Sequence, residues 1–234
     1  MKGLLVRVGI DSSDEGHWNA PVDINSRRFA YIPIVETKPV RRGFERFYEE
    51  TEPSLCKLGQ KLPGRLVGRR MHLDPDFEFL TYGDQGRRAR QIRELNPGDL
   101  LVFYAGLHDV GGRQSRLVYA LIGLYVVRNV LPAKSVPKKH WSDNAHTRRV
   151  CGTSDIVVLA KHGVSGRLAR CIPIGEYRNR AYRARKIVLE AWGGLSVKNG
   201  YLQRSARLPA FCDAKRFYRW FNLQGVELVR RNNL

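Results

Sequence analysis

No apolar run in the chain approaches the ~20 residues of a membrane-spanning helix, so an integral membrane protein is not expected. The opening MKGLLVRVGIDSSDEGHW turns acidic too early for a secretory leader, and a cytoplasmic location is expected. Cysteine is scarce. Cys56, Cys151, Cys171 and Cys212 are scattered without CxxC or any other ligand spacing, which argues against a zinc ribbon or a disulfide framework and predicts reduced thiols in or near the core. GxGxxG after the first strand, GxxxxGK[ST] and GxSxG are all missing, so dinucleotide, ATP and α/β-hydrolase chemistry lose support. With no internal repeat, low-complexity tract or linker, residues 1–234 read as a single domain.

Acid is also short. Forty-one Lys and Arg face twenty-two Asp and Glu, and the net charge of +19 is spread along the chain. That excess exceeds what solubility needs and points to a polyanionic partner, nucleic acid ahead of an anionic membrane. A hydrophobic content of 43% is ample for a core.

The apolar GLLVRVGI (3–10) suits a strand covered on both faces. RFAYIPIV (28–35) reads as a second strand, with Pro33 marking an edge or bulge. Residues 36–71 read as a surface excursion with a short helical piece, FERFYEE. In QGRRARQIREL (85–95), Ala89, Ile92 and Leu95 share a helix face. NPGDLLVFYAGL and RLVYALIGLYVVRNVL are β-prone and predict a meander or small barrel. The last third holds a strand, DIVVLA, a basic helix over RNRAYRARKIVLEAWGG (178–194), and a helix DAKRFYRWF with Asp213 as N-cap. The expected fold is α+β with a central mixed sheet, part of it barrel-like, flanked by basic helices.

Three stretches carry candidate chemistry. In GIDSSDEGHWNAPVD (9–23), Asp11 and Asp23 read either as a pair that could converge on a pocket at a strand end or as local turn or cap residues, while Asp14 and Glu15 read as solvated. Trp18 and Asn19 between them offer a stacking face and an amide for a base displaced from a duplex. In HLDPDFEFLTYGD (72–84), Asp74 and Tyr82 are the better functional candidates, and Asp84 reads as a helix cap. Asp74 and Asp76 lack EF-hand spacing and no HxxxH is present, so no metal site is expected. HWSDNAHTRR (140–149) adds His146 with Arg148 and Arg149, though a lone histidine beside arginines is more often solvated than catalytic. Arg180, Arg183 and Arg204, interleaved with tyrosines, read with Arg87 and Arg88 as a phosphate-contacting surface.

Taken together, RVGIDSS, WNAPVD, FAYIPI, HLDPDFEFLTYGD, GDLLVFYAGL, NAHTRR and GYLQRS resemble the third of the nucleotide-modification-associated domain families, from the first strand to near the C-terminus. That family is associated with phage and bacterial systems handling modified DNA bases. The resemblance implies a site of two aspartates and an arginine, here Asp11 and Asp23 with Arg27 or Arg28. It extends to phage-defence DNA glycosylases that remove glycosylated cytosine derivatives, for which a carboxylate stabilising oxocarbenium character would suffice, without metal or cofactor. The expected partner is double-stranded DNA bearing modified bases, bound by a monomer. Two other functions stay open at this point: a non-catalytic reader resembling PUA-like domains, and a transferase in a base-hypermodification pathway.

Overall fold

The run GLLVR buries four of its five residues in a computed structural model, which describes residues 1–12, 18–112, 116–203 and 207–233. This strand, β1 (Gly3–Arg7), precedes β2 (Pro21–Asp23), β3 (Arg28–Phe29), β4 (Ile34–Val35) and helix α1 (Glu52–Cys56). Then come β5 (Met71–His72), β6 (Thr81–Asp84), α2 (Gly86–Ile92) and two long strands, β7 (Leu100–Asp109) and β8 (Leu117–Pro132). Helix α3 (Ala145–Arg148) leads to β9 (Ile156–Ala160), β10 (Gly166–Pro173), β11 (Gly175–Arg178) and β12 (Ala181–Ala184). Helices α4 (Lys186–Trp192) and α5 (Ala214–Leu223) and the short β13 (Leu228–Val229) complete the order.

Strand β7 organises the main sheet. One of its edges takes β1 in parallel along Leu100–Tyr104 and then β2 in parallel along His108 and Asp109. Past the first pairing Val8 still donates to the Tyr104 carbonyl at 2.9 Å, while Ile10 donates to the Ile32 carbonyl at 2.8 Å. Antiparallel β8 pairs with β7 from Leu100 to His108. Its 16 residues reach further: Ala120–Leu124 also pair with β10, and Val127–Pro132 pair with β9, which carries β6. Register shifts at Phe103/Tyr104 and Val127/Asn129 bend these ribbons. The result is an α+β domain built on a curled, mixed half-barrel sheet of nine strands among the described residues.

Alternation along β7 feeds two cores. Leu101, Phe103, Ala105 and Leu107 join one apolar cluster, while Leu100, Val102 and Tyr104 join the other, the period of two expected of a strand. Both faces being covered explains why the sequence reads as a continuous apolar run. In the first cluster Phe77 packs edge-on against Tyr31, Phe103 and Tyr125, with ring centroids 5.4 to 5.8 Å apart. Gly123 makes room for it, since a Cβ there would lie 2.4 Å from the Phe77 ring. The second cluster is roofed by α4 and α5, whose Trp192 and Phe217 rings meet at 5.3 Å.

Several sequence expectations hold at the level of elements. Ala89, Ile92 and Leu95 are buried on and just after α2. Asp213 caps α5, its carboxylate accepting from the Arg216 amide at 2.9 Å. Others are corrected. The basic helix expected over 178–194 is a hairpin, β11–β12, for its first half, and only Lys186–Trp192 is helical. Asn179 and Arg180 both adopt positive φ (51° and 58°), which makes the tight turn that matches strand twist, and Tyr177 and Tyr182 pair across it. RFAYIPIV is not one strand, because only Arg28–Phe29 and Ile34–Val35 pair, on either side of Pro33. Of the four free cysteines only Cys171 is buried; Cys56 and Cys212 are exposed.

Candidate functional site

The β4–β5 ladder sets Ile34 opposite His72, so that Glu36, two residues past Ile34 on the same face, lies diagonal to His72. His72 Nδ1 lies 2.6 Å from Glu36 Oε2. Two residues later Asp74 turns inward, and both its oxygens accept the Gly83 amide of β6, at 2.8 and 2.7 Å. Asn144, the N-cap of α3, accepts from the His146 amide at 2.9 Å and directs its own amide toward Asp74 (3.4 Å) and Thr81 Oγ1 (3.2 Å). This cap fixes His146 so that Nε2 stands 3.6 Å from Asp74 Oδ2 and Nδ1 stands 3.2 Å from Asp155 Oδ2. The two imidazoles meet edge-on at 5.1 Å.

Gly83 is required for this approach. A Cβ on it would lie 2.3 Å from His146 Cδ2 and 2.8 Å from both Asn144 Oδ1 and Asp74 Oδ2. Arg149 closes the outer side, its guanidinium 3.4 Å from Glu36 Oε1 and 3.5 Å from Asp155 Oδ2. It also lies 3.1 Å from His146 Nδ1. Arg149 can only donate and Asp155 only accept at the same Nδ1, so the tautomer selects the partner: a protonated Nδ1 serves Asp155, a bare one accepts from Arg149.

Burial governs the charges. It drives the Asp74 carboxyl well above its usual range, aided by the nearby Asp84 and Asp76 charges and opposed by the Gly83 amide. Burial also lowers His146 to about 4, with His72 and Arg149 adding to the effect and Asp155 opposing it. For Glu36 and Asp155 burial is the largest single influence and acts upward, but the histidine hydrogen bonds and charges, the Lys38 and Gly152 amides and Arg149 together outweigh it and hold both carboxyls at about 2.

Glu36, His72, Asp74, Gly83, His146 and Arg149 line a cavity of about 560 Å³ that also takes in Val8 and Gly9 after β1, Tyr82, Asp84, Arg88 and Gln203. Leu5 and Arg7 of β1 and Tyr104 of β7 complete one wall. On its wall the Tyr82 hydroxyl donates to Asp84 Oδ2 at 2.6 Å and accepts from Arg88 at 2.8 Å, while Arg88 Nε lies 3.0 Å from Asp84. Asp84 is therefore not the cap of α2; the N-cap is Gln85, and Asp84 belongs to the cavity wall.

The structure thus gathers Asp74, Tyr82, His146, Arg88 and Arg149, five residues singled out in the sequence, around one space. Asp11 and Asp23 are not among the described residues that line it. Asp11, 2% exposed, pairs with Arg7 at 2.8 Å, and it is Arg7 that reaches the cavity. Asp23 serves the turn between β2 and β3, accepting from Ser26 Oγ at 2.5 Å and from the Asn25 amide at 3.0 Å. Its carboxyl is lowered, chiefly by the Ser26 bond. Asn19 donates to the Gly106 carbonyl of β7 at 2.9 Å, and Trp18 is half-buried against the first core cluster. Arg148 is buried in an ion pair with Asp76 at 2.5 Å. Arg27, Arg28, Arg87 and Arg180 are exposed, and Arg183 is half-buried over the Tyr201 ring. Asp14, Glu15 and Arg204 lie outside the described residues.

Sequence reasoning did not single out Glu36 or Asp155, isolated charges with no motif around them, nor Arg7, although it opens the RVGIDSS stretch. It also expected no metal, yet one ligand atom each from His72, Asp74 and His146 lies within 4.8 Å of the others. The sequence model of the family described as nucleotide modification associated domain 3 matches residues 2–212. The chain belongs to that family. No curated protein and no solved structure matches it. The match spans every residue that lines the cavity described above. Among the described residues no helix is long and apolar enough to cross a membrane.

Proposed function

We propose that the chain is a DNA glycosylase that draws a hypermodified base, such as glucosylated hydroxymethylcytosine, out of phage DNA and hydrolyses its N-glycosidic bond. The observation that carries this reading is the cavity. Its volume of about 560 Å³ is within the range that encloses ligands of nucleotide size, and its wall mixes an aromatic ring, carboxylates and arginines. Exposed Arg27, Arg28, Arg87 and Arg180 and the charge of +19 suit a phosphate backbone, whose contacts would offset the few kcal/mol that flipping costs.

In the reaction, water adds its oxygen to the sugar carbon, the bond to the base breaks with its electron pair leaving on the base, and the base takes up a proton. Positive charge builds on the sugar between these events. Asp74, the most enclosed carboxyl on the wall and one whose burial favours the protonated form, is the residue that in this reading hands the departing base its proton, with Tyr82 and Arg88 gripping the polar substituents of the base. The product would be an abasic site in invading DNA, a role in antiphage defence.

Incubation with phage DNA carrying glucosylated hydroxymethylcytosine, with unmodified DNA as control, tests it. Mass spectrometry should find the free modified base and abasic sites only in the first, and Asp74→Asn should stop release while leaving DNA binding in place. A protein that binds several modified DNAs and releases nothing from any of them would instead be a reader; the long β7–β8 ribbon of the half-barrel favours that second reading.

A further inference from the structure

We propose that His72, Asp74 and His146 form a binding site for one divalent first-row transition ion of the zinc class. Their facing atoms are His72 Nε2, Asp74 Oδ2 and His146 Nε2. The first and second are 3.9 Å apart, the second and third 3.6 Å, and all three lie within 4.8 Å. A triangle of those sides has a point about 2.4 Å from every corner, so a contraction of a few tenths of an ångström gives zinc–nitrogen and zinc–oxygen bonds of about 2.0–2.2 Å.

The surroundings hold the ligands as metal-binding residues are held. Each histidine has its other ring nitrogen against a carboxylate, His72 Nδ1 on Glu36 at 2.6 Å and His146 Nδ1 on Asp155 at 3.2 Å. An ion on the Nε2 lone pairs puts the proton on Nδ1 in both rings, where Glu36 and Asp155 accept it. Asp74 is oriented by the Gly83 amide and Asn144. Arg149 sits behind Glu36 and Asp155, where it balances the outer carboxylates without taking a ligand position. Two imidazoles and one carboxylate suit zinc, cobalt or iron(II), and disfavour magnesium and calcium, which want oxygen throughout. Three protein ligands leave coordination positions free, and all three residues line the cavity, the arrangement of a catalytic site and not of a closed structural one.

The site shares Asp74 with the base-excision reading but does not depend on it, because ion binding is read on the protein alone with no DNA present. The metal-stripped full chain is titrated with Co²⁺ and Zn²⁺, with Mg²⁺ as control, by calorimetry and visible absorption. One equivalent of Co²⁺ should bind with ligand-field bands, displaceable by Zn²⁺ and absent with Mg²⁺. Affinity should fall at least tenfold in His146→Gln and in Asp74→Asn. Glu36→Gln, a positioning change, should weaken binding about 10–100-fold without removing a ligand. The proton spectrum of the wild-type Co²⁺ form should show two solvent-exchangeable, paramagnetically shifted Nδ1–H resonances, a readout that stands even if a variant fails to fold. Absence of one-equivalent Co²⁺ binding to the wild type, absence of those two resonances, or unchanged affinity in folded His146→Gln overturns the proposal.

Discussion

Gly83→Ala adds one methyl group at the most crowded point of the cavity wall. The glycine sits in β6 opposite Val157 with no positive φ, so alanine meets no backbone penalty and the effect is one of space alone. The new Cβ would lie 2.3 Å from His146 Cδ2, where ordinary contact begins at 3.4 Å. The His146 ring must therefore retreat by about 1 Å, and with Asn144 Oδ1 and Asp74 Oδ2 both at 2.8 Å it has little room to slide sideways. Overpacking of this kind costs about 1–3 kcal/mol. Displacing a site group by about 1 Å costs roughly 100-fold in turnover where geometry is matched to a reaction. Urea unfolding of wild type and variant should show the midpoint falling with an unchanged m-value, while Co²⁺ affinity and base release decline together. Gly64→Ala is the control, because nothing lies within 4 Å of a Cβ there and its φ is not positive, and it should change stability by less than about 0.5 kcal/mol. A Gly83→Ala protein with wild-type stability and wild-type Co²⁺ affinity would refute the claim that this glycine sets the distance between His146 and Asp74.

Asp213→Ala should lose about 1 kcal/mol in urea unfolding, because the Arg216 amide at the start of α5 loses its acceptor. Arg180→Gly should raise stability by about 0.5–1 kcal/mol, since φ of 58° strains a side-chain-bearing residue and suits glycine; a drop in melting temperature would contradict the hairpin turn. Burial pushes the Cys171 thiol up to about 12 from its ordinary 9.0. Above pH 9 the unfolded chain therefore loses this proton while the folded chain keeps it, and stability falls as pH rises toward the folded value. Between pH 8 and 10 the wild type should lose roughly 1 kcal/mol more than Cys171→Ala, measured by urea midpoints, and parallel curves would refute the burial of that thiol in solution.

Asp11 and Arg7 show how a residue legible in sequence can act at one remove. The acid at the end of β1 looks like a site carboxylate because strand ends gather function. Its structural partner is Arg7, four residues earlier, which also lies over the Tyr119 ring at 5.1 Å and lines the cavity. Asp11 thereby orients a cation facing the space where a substrate would sit. Asp23, by contrast, is used up by the turn it closes, accepting from Ser26 and Asn25, which are adjacent in sequence. An acid followed by Asn and Ser is a turn signal as much as a catalytic one, and local hydrogen bonding won here.

By itself the sequence determined what depends on near neighbours along the chain. The buried face of α2, the cap of α5 and the two-sided burial of β1 are each written in a local pattern or a single side chain, and beside them stands a net charge of +19. Segment 175–184 escaped because its arginines and alanines satisfy a helical pattern, and only the left-handed turn at Asn179–Arg180 with the cross-strand tyrosines makes it a hairpin. The site was legible in pieces: Asp74, Tyr82, His146 and the arginines at 88 and 149 stand out as residue types, but nothing near them in sequence says that they meet. Tertiary structure decided that, by pairing β4 with β5, β6 with β9, and docking α3 across β6, so that positions 36, 72, 74, 83 and 146 share one chamber with Asp155 behind His146. Distances between such positions are set by strand register and by the missing side chain of Gly83, quantities that no local pattern encodes.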